Sequence, residues 1–132
     1  MSEENIEVVR KCIEAWNQQE TEAIDGLLDE QVQIDASDRV FNPDEYRGRT
    51  GLNRLIAEVR EVWDEFRLQP EKFFAEGDQV VVFVRALGRG KESGVPVSVQ
   101  SAWLVGLRDG KITSLRLYRD RLKALEAAGL SE

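Results

Sequence analysis

Thr50-Gly51-Leu52-Asn53-Arg54-Leu55-Ile56 opens a segment that continues Ala57-Glu58-Val59-Arg60-Glu61-Val62-Trp63-Asp64-Glu65-Phe66. Leu52, Leu55, Ile56, Val59, Trp63 and Phe66 recur three and four residues apart, the spacing of one helix face. Arg54, Glu58, Glu61 and Asp64 occupy the other face. Thr50 is placed to cap this helix. No other helical segment is long enough to cover so wide an apolar stripe, so the helix must lie on a sheet.

Upstream, Ile6, Val9, Ile13 and Trp16 fall at helical spacing, with Val8, Cys12 and Ala15 widening the stripe. Ser2 is a candidate cap, and Glu3 and Glu4 suit the positive end of the helix dipole. A shorter helix from about Thr21 would bury Ile24, Leu27 and Leu28. Val32–Ala36 alternates, with Val32, Ile34 and Ala36 on one face and Gln33, Asp35 and Ser37 on the other. Asn42-Pro43-Asp44 marks a turn-rich loop.

Downstream the chain reads as a meander. Candidate strands cover Leu68–Ala75, Gln79–Gly88, Val97–Leu107 and Ile112–Arg119. Pro70 predicts an edge strand or a bulge. Asp109-Gly110 is a hairpin signal, because both positions tolerate positive φ. Asp120 can cap a last helix through Leu122 and Leu125, ending at Gly129. This order predicts one α+β domain over residues 1–132, an antiparallel sheet with helices grouped on one face.

Hydrophobic residues make up 42% of the 132 and charged residues 33%, which suits a single packed core. The formal charge is −7, the opposite of a phosphate-binding surface, so no nucleic-acid partner is expected. No apolar run approaches the roughly 20 residues that span a bilayer, so no membrane partner is expected either. The acidic start lacks a secretory pattern. Cys12 is the only cysteine, consistent with a reducing compartment and a cytoplasmic protein. There is no histidine, which excludes a Ser-His-Asp triad, a Cys-His pair and a histidine-ligated zinc. Gly88-Arg89-Gly90-Lys91 lacks the spacing of a nucleotide loop. Neither a metal nor a cofactor is expected.

Ala15-Trp16-Asn17, Tyr46-Arg47-Gly48 with Gly51, Asp109-Gly110-Lys111-Ile112, and Tyr118-Arg119-Asp120 followed by Ala124-Leu125-Glu126-Ala127-Ala128-Gly129-Leu130 occur in that order. Together they resemble the SnoaL-like family of the nuclear-transport-factor-like superfamily, which includes ketosteroid isomerase. The resemblance implies a cone-shaped roll, a curved antiparallel sheet wrapped around the long helix with two N-terminal helices. It also implies a pocket at the open end and a homodimer formed through a sheet face that no helix covers. Members include isomerases, polyketide cyclases, epoxide hydrolases, dehydratases and binding modules, so fold does not dictate activity.

By that resemblance Asp35 falls near the isomerase's general-base aspartate. The isomerase's oxyanion-donating tyrosine falls at Cys12 and its second aspartate near Ser101 or Ala102, so the rest of that pattern is missing. Tyr118 and Arg116 share a strand face with Ile112 and Ser114, and are candidates to stabilise negative charge in the cone. Arg85, inside an apolar run, needs a carboxylate or solvent, and Asp35 is one candidate partner. Trp16, Trp63 and Trp103 are candidate pocket walls, with core packing as the alternative. The expected catalytic pair is therefore Asp35 and Tyr118. The expected ligand contacts are Trp16, Trp63, Arg85, Trp103 and Arg116. Three readings stay open: a cyclase, isomerase or hydrolase using carboxylate acid-base chemistry on a small apolar molecule, a non-catalytic binder of such a molecule, or a dimeric scaffold.

Overall fold

Val80-Val81-Val82-Phe83-Val84 is apolar at every position because both of its faces are covered. The computed structural model of the chain describes residues 2–39 and 43–130. In chain order, α1 (Ser2–Asn17) and α2 (Thr21–Leu27) precede β1 (Leu28–Asp35) and the short β2 (Glu45–Arg47). The long helix α3 (Gly48–Val62) runs directly into β3 (Trp63–Glu76). Then come β4 (Gln79–Gly90), β5 (Pro96–Arg108), β6 (Lys111–Tyr118) and α4 (Arg121–Ala127). The expected Ser2 cap and the Asn42 part of the loop turn lie outside the described residues and side chains. Among the described residues, no helix is long and apolar enough to cross a membrane.

The strands form one curved sheet in the order β2-β1-β6-β5-β4-β3. On its inner face Val80, Val82, Val84, Val105 and Ile112 pack with Val9 and Ile13 of α1, Ile24 of α2 and Leu52, Leu55 and Ile56 of α3. On its outer face Val81, Phe83 and Ala102 pack against Ala124, Leu125 and Ala128 at α4. Asn17, at the end of α1, fastens that helix to the sheet. Its amide donates to the Leu68 carbonyl and accepts from the Leu68 N–H, both at 2.8 Å, as a neighbouring strand would.

Several local expectations hold for the stated reasons. Asp109 and Gly110 adopt φ of 51° and 77° at the β5–β6 turn. Pro70 lies on the edge strand β3, next to a register shift between Pro70 and Lys72. The Asp120 side chain accepts from the Leu122 N–H at 3.0 Å and caps α4.

Four expectations need correction. The helical stripe does not continue to Phe66: α3 ends at Val62 and Trp63 already has extended backbone. Asp64 pairs with Arg89 and Arg67 with Leu87, so β3 carries one extra residue, and Glu65 takes φ of 52°. This bulge puts Trp63 and Phe66 on one face three residues apart and so imitates helical spacing. Thr50 is not the cap, because α3 begins at Gly48, and Arg47 occupies the cap position without a side-chain bond. The sheet is mixed rather than wholly antiparallel: β1 runs parallel to β6, because the chain between them crosses the sheet through α3 and the meander. Finally, the outer face is not bare, since α4 packs on β4, β5 and β6.

Candidate functional site

Between the inner sheet face and the three helices lies a cavity of about 250 Å³. Its wall is almost wholly apolar. Ile13 and Trp16 come from α1, Leu52, Leu55 and Val59 from α3, Val82 and Ala86 from β4, and Trp103 and Val105 from β5. Trp63, Phe66 and Leu68 of β3 and Val97 and Val99 of β5 complete the apolar wall. The Phe66 ring meets Trp16 edge-on at 6.2 Å and Trp63 at 6.1 Å. Gly88 makes room for this cluster, because a Cβ there would lie 3.2 Å from the Trp63 ring and 3.3 Å from Phe66.

The polar side chains on the described wall are Cys12, Arg39, Glu58, Ser101 and Arg119. Burial pushes the Cys12 thiol up to about 12, so it is a neutral wall group and not a nucleophile at neutral pH. Arg39 and Glu58 are joined through Tyr46, which is 3% exposed. The Arg39 Nη2 donates to the Tyr46 hydroxyl at 2.8 Å, and that hydroxyl donates to Glu58 Oε1 at 2.6 Å. Burial first, and the bond to Glu58 second, raise the phenol above its ordinary value, so it stays a donor at neutral pH. Behind it, Arg54 stacks on the Tyr46 ring at 4.2 Å and reaches Glu58 Oε2 at 3.3 Å and Asp44 at 2.6 Å. At the rim, Arg119 pairs with Asp38 at 3.5 Å.

The structure places Trp16, Trp63 and Trp103 on the cavity wall, but not the other expected site residues. Asp35 alternates with Ile34, and it is Ile34 that faces the cavity. Asp35 instead accepts from the Ser37 hydroxyl at 2.5 Å and the Ser37 N–H at 3.0 Å, with Arg116 at 3.6 Å. Arg85 points outward to Glu71 at 3.4 Å and Ser98 at 3.2 Å, so the Asp35–Arg85 pair does not form. Tyr118 packs with the outer cluster, and Arg116 lies 5.0 Å over its ring. Parity misplaced these two because β6 carries an extra residue. Ile112 pairs with Leu107 and Ser114 with Gly106, and beyond this bulge it is Leu115 and Leu117 that face the cavity.

The Ser37 bonds, and then Arg116, hold the Asp35 carboxyl below its usual range. A carboxylate with a depressed folded pKa stabilises the fold above its unfolded pKa of about 3.9, and that contribution is lost as pH falls through the folded value. Asp35→Asn is therefore expected to cost about 1 kcal/mol at pH 7, discounted for solvent screening, and to lower Tm by about 3 °C. The gap should close as pH is taken below about 3.9. A higher Tm for the variant at pH 7 would show Asp35 to be a strained, functional charge.

Sequence reasoning missed Arg39, Tyr46 as a bridge, and Glu58. Glu58 was assigned to the solvent face, yet it lies only about 40° around the helix from Val62, at the edge of the apolar stripe. That position was a usable signal. Arg39 sits in a loop and carried none.

The family model described as the SnoaL-like domain matches residues 9–115. This chain belongs to the SnoaL-like family. Solved structures agree on the fold. A protein of ketosteroid isomerase-like fold from Catenulispora acidiphila, in complex with trimethylamine, is 22% identical with a TM-score of 0.77, covering 95% of this chain and 94% of that one. An NTF2-like protein from Burkholderia xenovorans is 25% identical with a TM-score of 0.78, covering 97% of each chain. TerC, co-crystallised with polyporic acid, is 22% identical with a TM-score of 0.79, covering 96% of this chain and 98% of that one. A search of curated proteins found no match.

In this SnoaL-like domain the Tyr46-Arg47-Gly48 and Gly51 motif has a mechanical role. Gly48 takes φ of 65° at the β2–α3 turn, 3.2 Å from the Glu30 carbonyl at its absent Cβ. Gly51 lets α3 lie directly on the Tyr46 backbone. The motif thus holds the Tyr46 hydroxyl under Glu58, 12 residues on.

Proposed function

We propose that this chain is a cytoplasmic SnoaL-like protein whose function is to bind a small, mainly apolar molecule in the cone. The observation that carries this is the cavity itself, walled mostly by apolar side chains and lined by all three tryptophans of the chain. An apolar cavity of about 150 Å³ holds a benzene ring. The 250 Å³ here therefore suits a molecule of one or two rings. That two neighbours of this fold were crystallised with small molecules, trimethylamine and polyporic acid, supports the reading.

Binding is favoured over carboxylate acid-base catalysis. Glu58 is the one carboxylate on the described wall, and its two oxygens already accept from Tyr46 and Arg54. Asp35 is on the opposite sheet face. The homodimer implied by the resemblance is not part of this reading; α4 lies on part of the sheet face that was expected to be bare.

The test is a titration with the neutral two-ring dye 2-methoxynaphthalene, followed by dye fluorescence. Saturable binding is expected for the wild type. Ala86→Phe, which projects a ring into the cavity from β4, is expected to weaken it about tenfold or more, or at least about 1.4 kcal/mol. No saturable binding, or equal binding by a folded Ala86→Phe, would remove the pocket reading.

A further inference from the structure

We propose that Ser101 is a ligand-recognition residue of the cavity, and that the ligand is a one- or two-ring apolar molecule whose neutral oxygen, a hydroxyl or a carbonyl, pairs with the Ser101 hydroxyl. This deepens the binding reading above and rests on it.

The direction of the side chain follows from the pleat of β5. Val97, Val99, Ser101, Trp103 and Val105 all line the cavity, and the residues between them do not. Ala102 and Leu104 pack in the outer cluster with α4, whereas Trp103 and Val105 pack in the inner one. Ser101 therefore faces inward, and its cross-strand neighbour is the fully buried Val84.

Ser101 is 6% exposed, a polar side chain in a core otherwise made of apolar and aromatic ones. A hydroxyl in such surroundings ordinarily has a partner, because burial strips its hydration and gives nothing in return. Among the described residues the Ser101 hydroxyl bonds to none. The residue takes part in side-chain bonding only through its main-chain carbonyl, which accepts from Arg121 Nε at 3.1 Å. Nor is the oxygen sealed in by protein, so the cavity space reaches it. Other polar groups of the wall are engaged. Glu58 accepts from Tyr46 and Arg54, and Arg119 pairs with Asp38. The Cys12 thiol is neutral and is a weak donor and a weak acceptor.

A serine hydroxyl offers one donor and two acceptor lone pairs without charge. It cannot offset the desolvation of an ionic group, but it can offset that of a hydroxyl or a carbonyl. An analogue that lacks the oxygen leaves Ser101 unpaired, and a site of this kind rejects such an analogue by more than the lost contact. Ser101 thus selects among molecules that fit the apolar walls equally well.

The experiment compares 2-naphthol with 2-methylnaphthalene, which share rings and near-identical shape and differ in the oxygen. Dissociation constants are measured by equilibrium dialysis at pH 7, and the methylnaphthalene-to-naphthol ratio is compared between variants, which cancels the difference in hydration of the two probes. Ser101→Ala is expected to lower that ratio about fivefold, or about 1 kcal/mol. Ser101→Thr, which keeps a hydroxyl, should hold it near the wild-type value. The ligand-free Tm of Ser101→Ala should equal or exceed that of the wild type, because no bond within the fold is lost. A lower Tm would show that the hydroxyl serves the fold and would overturn the inference. A ratio that moves by less than about twofold in Ser101→Ala overturns it too, and leaves the pocket reading intact. A ratio that falls in Cys12→Ala and not in Ser101→Ala overturns the assignment to Ser101. Failure of 2-methoxynaphthalene and both probes to bind overturns the pocket reading together with this one.

Discussion

Leu125→Ala is expected to lower Tm by about 10 °C while leaving dye binding in the cavity unchanged. Leu125 is 1% exposed and packs, with Ala124 and Ala128, on Val81, Phe83 and Ala102. Truncating a fully buried leucine costs about 2–5 kcal/mol, from lost transfer energy and the void left behind. A value near 3 kcal/mol converts to about 10 °C in a domain of this size. Collapse of α4 cannot relieve the void cheaply, because Arg121 ties the helix start down. Its Nε donates to the Ser101 carbonyl at 3.1 Å, its Nη2 to the Val84 carbonyl at 2.9 Å and to Glu71, and it sits 4.8 Å over the Phe83 ring. Leu122, on the same helix and 54% exposed, is the control, and its replacement by alanine should change stability by less than about 0.5 kcal/mol. A fall of under about 3 °C for Leu125→Ala would mean that α4 does not cover the outer face in solution. Equal loss of dye binding would mean that the two faces of the sheet are not independent.

Gly51→Val is expected to cost about 3 kcal/mol, the upper end of what overpacking usually costs. A Cβ at Gly51 would lie 3.0 Å from the Tyr46 carbonyl carbon and 3.1 Å from its Cβ. Backbone stands on one side of that contact, so α3 must move off β2. The move carries Glu58 away from the Tyr46 hydroxyl and frees Arg39 from its anchor. The sign of Gly51→Ala separates this account from simple helix propensity. At an open helical site the change would stabilise by about 1 kcal/mol. At Gly26, in α2, a Cβ meets nothing within 4 Å, so Gly26→Ala should stabilise where Gly51→Ala destabilises. Calorimetric Tm values for the three variants are the measurements. A stabilised Gly51→Ala would refute the close packing of α3 on Tyr46.

Element types and the outer features of the fold were legible because they depend on local pattern. The segment Gln79–Gly88 announced a strand, Pro70 an edge strand or a bulge, and Asp109-Gly110 a tight hairpin. The absence of histidine restricted the chemistry, and the stripe Leu52–Val59 required a sheet beneath α3. Where periodicity misled, a single residue was responsible. The extra residue near Glu65 made β3 imitate the end of a helix, and the extra residue near Thr113 exchanged the faces of β6, taking Tyr118 and Arg116 out of the cone.

Hydrophobic pattern reports which side chains leave water; it does not report which of two covered faces encloses a cavity. That distinction placed Ile34 inside, beside Leu115 of β6, and Asp35 outside, beside Arg116, a register between segments far apart in the chain. The polar end of the cavity is likewise a tertiary product. Arg39 comes from a loop, Tyr46 from β2 and Glu58 from α3, and only Glu58, at the edge of the apolar stripe, is marked by its neighbours in sequence. By itself the sequence determined a roll of helices over a sheet with an apolar interior. Only the packing of α3 onto β2 through Gly51 joined one guanidinium and one carboxylate of that interior's wall through one phenol, because only long-range contact can bring them within hydrogen-bond distance.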